Sequence, residues 1–226
     1  MRLASFASVL ALTVVSGAAA ADPEGDKPAV AAADPGMYAF GVRVGGYGFR
    51  RETDSQVNNA WDVCRMNGLG VFGQRALRGP FFVEAGLDTY FSVGGGDPSQ
   101  LPIDRQNVLV SGAAGVRTAF TSWLHGYAQL GTGVELARLS VPYGGSTITA
   151  DKAMPEGFFG FGGDLRIAHG TYLGATVRLL VMGNLDYDPS RLQMSNQWVA
   201  PPPASSVFSA SPDLASQAQF YLRREL

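Results

Sequence analysis

Residues 81–92 read Phe81-Phe82-Val83-Glu84-Ala85-Gly86-Leu87-Asp88-Thr89-Tyr90-Phe91-Ser92, and their parity decides the fold. Phe81, Val83, Ala85, Leu87 and Phe91 alternate with Phe82, Glu84, Gly86, Asp88, Tyr90 and Ser92. Successive side chains of a strand point to opposite faces, so one face here is oily and uncharged. The other mixes carboxylates, glycine and rings. Such a strand borders two different media.

The same division recurs outward from this segment. Tyr38, Phe40, Val42 and Val44 oppose Ala39, Gly41, Arg43, Gly45 and Tyr47. Val108, Val110, Ala114, Val116 and Phe120 oppose Ser111, Ala113, Gly115 and Arg117, and Ala128, Leu130, Val134 and Leu136 oppose Tyr127, Gln129, Gly131, Gly133 and Glu135. Phe159, Phe161, Leu165 and Ile167 oppose Phe158, Gly160, Gly162, Asp164 and Arg166. Leu173, Ala175, Val177, Leu179 and Val181 oppose Tyr172, Gly174, Thr176 and Arg178. The last strand sets Ala218, Phe220, Leu222 and Leu226 against Gln217, Gln219, Tyr221, Arg223 and Glu225. Only the segment from Trp61 to Leu77 is irregular. Leu69 and Val71 mark its apolar face, but Arg65 and Asn67 share their parity. Either those two lie above the apolar band or a bulge near Asn67-Gly68 shifts the phase.

Connections alternate in length. Short turns are expected at Arg78-Gly79-Pro80, at Ser122 to Gly126 and at Ala168 to Thr171. Long loops are expected at Glu52 to Ala60, Gly94 to Gln106, Ser140 to Pro155 and Asn184 to Ser211. Eight strands joined in this way predict an all-β, antiparallel, up-and-down barrel with both termini at the short-turn end, the asymmetry of bacterial outer-membrane barrels.

Alternation by itself also suits a soluble, secreted, ligand-binding barrel with its oily face inward. Charge placement favours the inverted arrangement. The apolar faces are free of charge over their central residues. The opposite faces carry Arg43, Arg117, Arg166, Arg178 and Arg223 against Glu84, Asp88, Glu135, Asp164 and Glu225, a balanced set that predicts an ion-pair network in a filled lumen. A basic residue facing lipid costs about 2–4 kcal/mol at the midplane, so reversing five arginines would cost on the order of 10–20 kcal/mol. A whole fold is stable by only about 5–15 kcal/mol. Arg50, Arg75, Arg138 and Arg224 have apolar parity but lie near strand ends, where long side chains snorkel to the interface. Tyr38, Trp123, Tyr127 and Tyr172 near the short turns, and Trp61, Tyr90 and Phe91 near the long loops, are expected to form two interfacial aromatic girdles.

Strands such as Phe81 to Leu87, and the closing Gln219-Phe220-Tyr221-Leu222, resemble those of small outer-membrane β-barrel proteins of the OmpA/OmpX kind. The resemblance spans Met37 to Leu226 and lies in pattern, not in a sharp motif. It implies a structural or surface-interaction role in the cell envelope, with outer-membrane lipid and lipopolysaccharide as surroundings. It also implies that the barrel-assembly machinery reads the C-terminal strand. Members usually end on an aromatic residue; this chain ends on Leu226.

Other features narrow the function classes. Met1 to Ala21 has a short positive start, an apolar core and a small-residue cleavage site, which predicts a signal peptide. Asp22 to Gly36, rich in Pro, Ala and Asp, is expected to be a flexible lead-in to a barrel domain over 37–226. Charged residues make up 16%, against about 25% in soluble domains. A net charge of −2 leaves no footprint for nucleic acid. Cys64 is the single cysteine, so no intrachain disulfide and no zinc spacing exist. No glycine run forms a phosphate-binding loop, and no cofactor is expected. His125 and His169 are the only histidines and fall in expected turns with no serine beside them, so a Ser-His-acid site finds little support. A lipid-modifying enzyme and a small-solute channel are the alternatives to the structural role. Eight strands enclose an interior that side chains fill, which disfavours the channel.

Overall fold

The computed structural model of the chain describes residues 37–50, 63–92, 104–143, 146–187 and 208–226. The expected signal peptide, the lead-in, Trp61 and most of three expected long loops lie outside the described residues.

Eight antiparallel strands follow one another around a closed ring: β1 (Tyr38–Arg50), β2 (Val63–Ala76), β3 (Phe81–Ser92), β4 (Asp104–Ala119), β5 (Leu124–Tyr143), β6 (Ser146–Ala168), β7 (Thr171–Tyr187) and β8 (Phe208–Glu225). Closure joins β1 to β8 in unbroken register from Ala39↔Glu225 to Phe49↔Ala215, and Leu226 N donates to Tyr38 O at 2.9 Å. No strand edge is left along the shared barrel wall, as hydrocarbon demands of a spanning sheet. A tilted transmembrane strand needs about 9–11 residues, and each of these strands is longer.

The three tight connections carry the chemistry their geometry requires. Gly79 and Gly170 adopt φ of +73° and +66°, a region that side chains with a Cβ rarely enter. Between β4 and β5 the Thr121 hydroxyl accepts from Leu124 N at 3.0 Å, and Phe120 N donates to Leu124 O at 3.0 Å.

Parity translates directly into placement. Phe40, Val42, Val44, Leu69, Val71, Val110, Leu130, Leu179 and Phe220 stand exposed on the outer wall. Arg43, Glu84, Asp88, Arg178 and Arg223 are buried within. An oily exterior around an ionic interior is the reverse of a soluble barrel, so the arrangement with the apolar row inside is excluded.

One open alternative is decided and two expectations are corrected. The second strand contains no phase shift. β1 and β2 pair continuously from Tyr38↔Arg75 to Arg50↔Val63, and Asn67 stays on the exposed face. Ser140 to Pro155 is not a loop, because β5 and β6 continue as a paired ribbon to Tyr143↔Ser146, leaving only Gly144-Gly145 between them. Val141, Thr147, Ile148 and Thr149 are good strand formers, and a Gly-Gly pair between two such runs is a hairpin signal. β7 pairs with β6 only up to Glu156↔Met182. The next residue is Pro155, which has no N–H to give a neighbour. Beyond the Glu156↔Met182 pair the ribbon has no ladder partner in β7, although Met154 still packs close to Gly183, and it carries a bidentate Arg138–Asp151 ion pair (2.7 and 3.0 Å) on its exposed face. The hydrogen bonds from Arg138 hold the Asp151 carboxyl below its ordinary range. Finally, β4 begins at Asp104 and takes Arg105 inward, although residues 104–106 were expected in a loop.

Candidate functional site

Among the described residues the barrel interior is where many ionisable groups converge, and it is organised as three hydrogen-bonded groups separated by rings. The central group is built on Arg43 of β1 and Glu84 and Asp88 of β3. Arg43 grips Asp88 with both Nε (2.6 Å) and Nη2 (2.5 Å) and reaches Glu84 Oε1 with Nη1 at 2.8 Å. Arg178 of β7 donates to the same Glu84 oxygen at 2.9 Å, and Gln74 donates to its Oε2 at 2.7 Å. Burial is near complete: Asp88 and Arg178 are each 1% exposed. Charges this deep must be paired, since an isolated one would face a desolvation cost of several kcal/mol.

At the short-turn end, Asp164 accepts from Arg223 Nη2 (3.2 Å) and from the Tyr221 hydroxyl (3.2 Å), and its other oxygen contacts His125 Nδ1 at 3.1 Å. Arg223 also donates to Glu225 at 2.9 Å, and the Tyr172 hydroxyl donates to Glu225 at 3.1 Å. At the opposite end Glu135 accepts from Arg105 at 3.2 Å and from Asn107, and Asn107 bonds the Tyr47 hydroxyl as well. Glu156, 5% exposed, lies among these outer groups with Oε1 unpartnered among the described residues.

Rings fill the space between. Phe72 sits edge-on to Tyr221 (5.6 Å) and beneath the Arg43 guanidinium (5.3 Å), tying the lower group to the central one. Tyr90 links centre and outer end: its hydroxyl accepts from Gln217 (2.8 Å) and Gln219 (3.0 Å), and its ring meets Tyr47 at 4.9 Å. Arg178 lies over Phe158 at 4.4 Å. Room for these groups comes from residues without side chains. A Cβ on Gly86 would lie 2.2 Å from Arg43 Nη2, and one on Gly131 would lie 2.2 Å from Phe158 Cζ.

Not every expected residue has the role expected of it. Arg43, Glu84, Asp88, Glu135, Asp164, Arg178, Arg223 and Glu225 meet as described. Arg117 bonds no carboxylate; its Nη2 donates to Gln74 at 2.7 Å and its guanidinium lies over Phe82 at 4.9 Å. Arg166 is a correction. It is the last residue in regular register before the turn, pairs with Tyr172, and is exposed at the rim, where it donates to His169 Nδ1 at 3.0 Å. Tyr90, Tyr127 and Tyr172 are corrections too. All three are buried in the lumen, not in a girdle. Their parity is that of the polar face, and each hydroxyl has a lumen partner, Thr176 for Tyr127. Tyr38, Phe91 and Trp123 do stand exposed on the outer wall. His125 is likewise not in a turn but inward on β5, against Asp164. Among the described residues no serine or threonine hydroxyl bonds either histidine.

Residues that the sequence reading missed are Arg105, Asn107 and Glu156; Tyr47 was placed on the inward face but given no part in the network. The signal was available for two of them: Arg105 and Asn107 simply continue the parity of Ser111 past the expected strand start.

A closed eight-stranded ring with an oily outside and an ion-paired inside is matched by solved structures. Neisserial surface protein A aligns with a TM-score of 0.53 at 12% identity, covering 84% of this chain and 97% of that one. The fold is that of a small outer-membrane β-barrel. The attachment invasion locus protein Ail of Yersinia pestis aligns at 12% identity and a TM-score of 0.49, covering 85% of this chain and 99% of that one. Neither a protein-family model nor a curated protein sequence matches the chain. At 12% identity the likeness concerns the fold alone.

Proposed function

We propose that the protein is a scaffold of the bacterial outer membrane, its barrel inserted in lipid and its β5–β6 ribbon presented at the cell surface for interaction. The observation that carries this reading is the inverted polarity of the wall combined with a ribbon that leaves the barrel at one end only. Short turns face the periplasm in such barrels and longer excursions face outward. Interior arginines and carboxylates serve as mutually satisfying structural pairs, and the lumen is not a conduit. Lipid and lipopolysaccharide surround the barrel, and the assembly machinery inserts it through its C-terminal strand.

Three results are expected. The refolded protein migrates differently on a gel before and after boiling and fractionates with outer membranes. An epitope inserted between Gly144 and Gly145 is detected on intact cells, whereas one between Arg78 and Gly79 is detected only after permeabilisation; the reverse pattern would invert the topology. In planar bilayers the protein is expected to give no stable single-channel current, because rings and ion pairs occupy the bore. Persistent unitary steps would return the solute-channel reading.

A further inference from the structure

The outer wall is not uniform. Where β1, β2, β3 and β8 meet, Gly73 and Ala85 leave a shallow depression of about 840 Å³, walled by Phe40, Val42, Leu87 and Leu222. The two small residues are register partners, and Gly73 is also the partner of Phe40, whose ring lies close enough that a Cβ on Gly73 would sit 3.3 Å from Phe40 Cε1, so the open floor of the groove is at Ala85. Its lower end is closed by Arg224 and Thr171. Arg224 is paired in register with Phe40, and Arg75 with Tyr38, so two guanidiniums flank β1 on the outward face, two residues apart. Arg224 donates to the Thr171 hydroxyl at 3.3 Å and Arg75 lies over the Tyr38 ring at 5.4 Å. Among the described residues neither has a carboxylate partner. Both lie at the short-turn end, at the level where an apolar belt gives way to headgroups.

We infer that this groove is a binding site for one glycerophospholipid of the periplasmic leaflet, with an acyl chain lying over Ala85 between Phe40 and Leu87 and the phosphate held by Arg224, with Arg75 across β1 as a second cation. The inference rests on the membrane-inserted reading above. An apolar trough that ends at Arg224, with Arg75 on the far side of β1, fits an amphiphile carrying an anionic head and a long tail. A guanidinium presents paired N–H groups that match phosphate oxygens, and a tail in the trough covers the wall that the small side chain of Ala85 leaves low. A second copy of the chain would fill the apolar part but would bring no anion from the described wall to the arginines, since the outer faces carry almost no charge.

Native mass spectrometry of the full-length protein, refolded in detergent and titrated with dipalmitoyl phosphatidylglycerol, tests the site. Dipalmitoylglycerol, which lacks phosphate, and inorganic phosphate, which lacks chains, serve as separate arms. The wild type is expected to retain a single phosphatidylglycerol under activation that strips other lipid, and to retain neither control comparably. R75Q/R224Q is expected to weaken retention by about tenfold or more, the loss of charge-assisted hydrogen bonds. Ala85→Phe, which fills the trough, is expected to abolish it. Equal retention by all variants would show only annular lipid and overturn the site. A dimer that Ala85→Phe dissociates would assign the groove to a second copy and overturn it as well. Should Ala85→Phe fail to fold, the arginine variants at the rim still decide. A normal heat-dependent gel shift without the adduct counts against the lipid site alone; loss of that shift in the wild type counts against membrane insertion itself.

Discussion

Replacing Arg43 with methionine is expected to destabilise the barrel by about 3–5 kcal/mol, the range for removing one partner of a buried ion pair. Among the described residues Arg43 is the side chain hydrogen-bonded to Asp88, through two short contacts, and it shares Glu84 with Arg178. Its loss leaves Asp88, 1% exposed, ionised without its hydrogen-bonded counter-charge. Urea titration of the protein in micelles, followed by the fraction retaining its unboiled gel mobility, measures the effect. The double variant R43M/D88L is expected to recover much of the loss, because it removes charge from both sides, and the shortfall from additivity reports the pair directly. Strict additivity would mean that the two residues act independently and that the central group is not a network.

A basic residue at Leu130 is expected to cost about 2–4 kcal/mol, the price of an arginine on the lipid face near the midplane. Leu130, 70% exposed, lies midway along the outward row of β5. On the surface of a protein in water the same exposure would make the substitution nearly neutral, within about 0.5 kcal/mol. Leu130→Arg therefore separates the two media by an effect that is large in one and small in the other. Folding yield into vesicles and the urea midpoint in bilayers are the measurements. A variant as stable as the wild type in vesicles would place Leu130 in water.

Much of this architecture is legible in parity. A period of two forces each strand to declare its faces, and a mistake of one residue would turn arginines into lipid, so the register along β1, β3, β7 and β8 reads correctly without any structure. The weaker readings share a cause. Tyr90, Tyr127 and Tyr172 carry both an oily ring and a hydroxyl, so their chemistry suits an interface as well as a lumen; only their parity and the partners across the bore, which are distant in sequence, place them inside. Arg166 has lumen parity, but it is the last regularly paired residue before the turn, so its side chain reaches water at the rim. The β5–β6 ribbon was hidden by polar residues and by Pro155, which mark loops when they stand between strands and an exposed ribbon when they alternate around a Gly-Gly pair. Glu156 and Arg105 lay in or beside segments taken for loops, so their inward direction could not be read until the strands were extended.

The central claim is that oily side chains face hydrocarbon while the ionic face is sealed inside. Nitroxide labels on single cysteines at Leu130 and at Gln129, in a Cys64→Ser background and in lipid vesicles, test it at adjacent positions of one strand. Collision with oxygen, which concentrates in hydrocarbon, is expected to be high at 130. At 129, which is 3% exposed in the wild type, both oxygen and a water-soluble nickel chelate are expected to collide rarely. High nickel access at 130, with oxygen access at 129, would contradict the account.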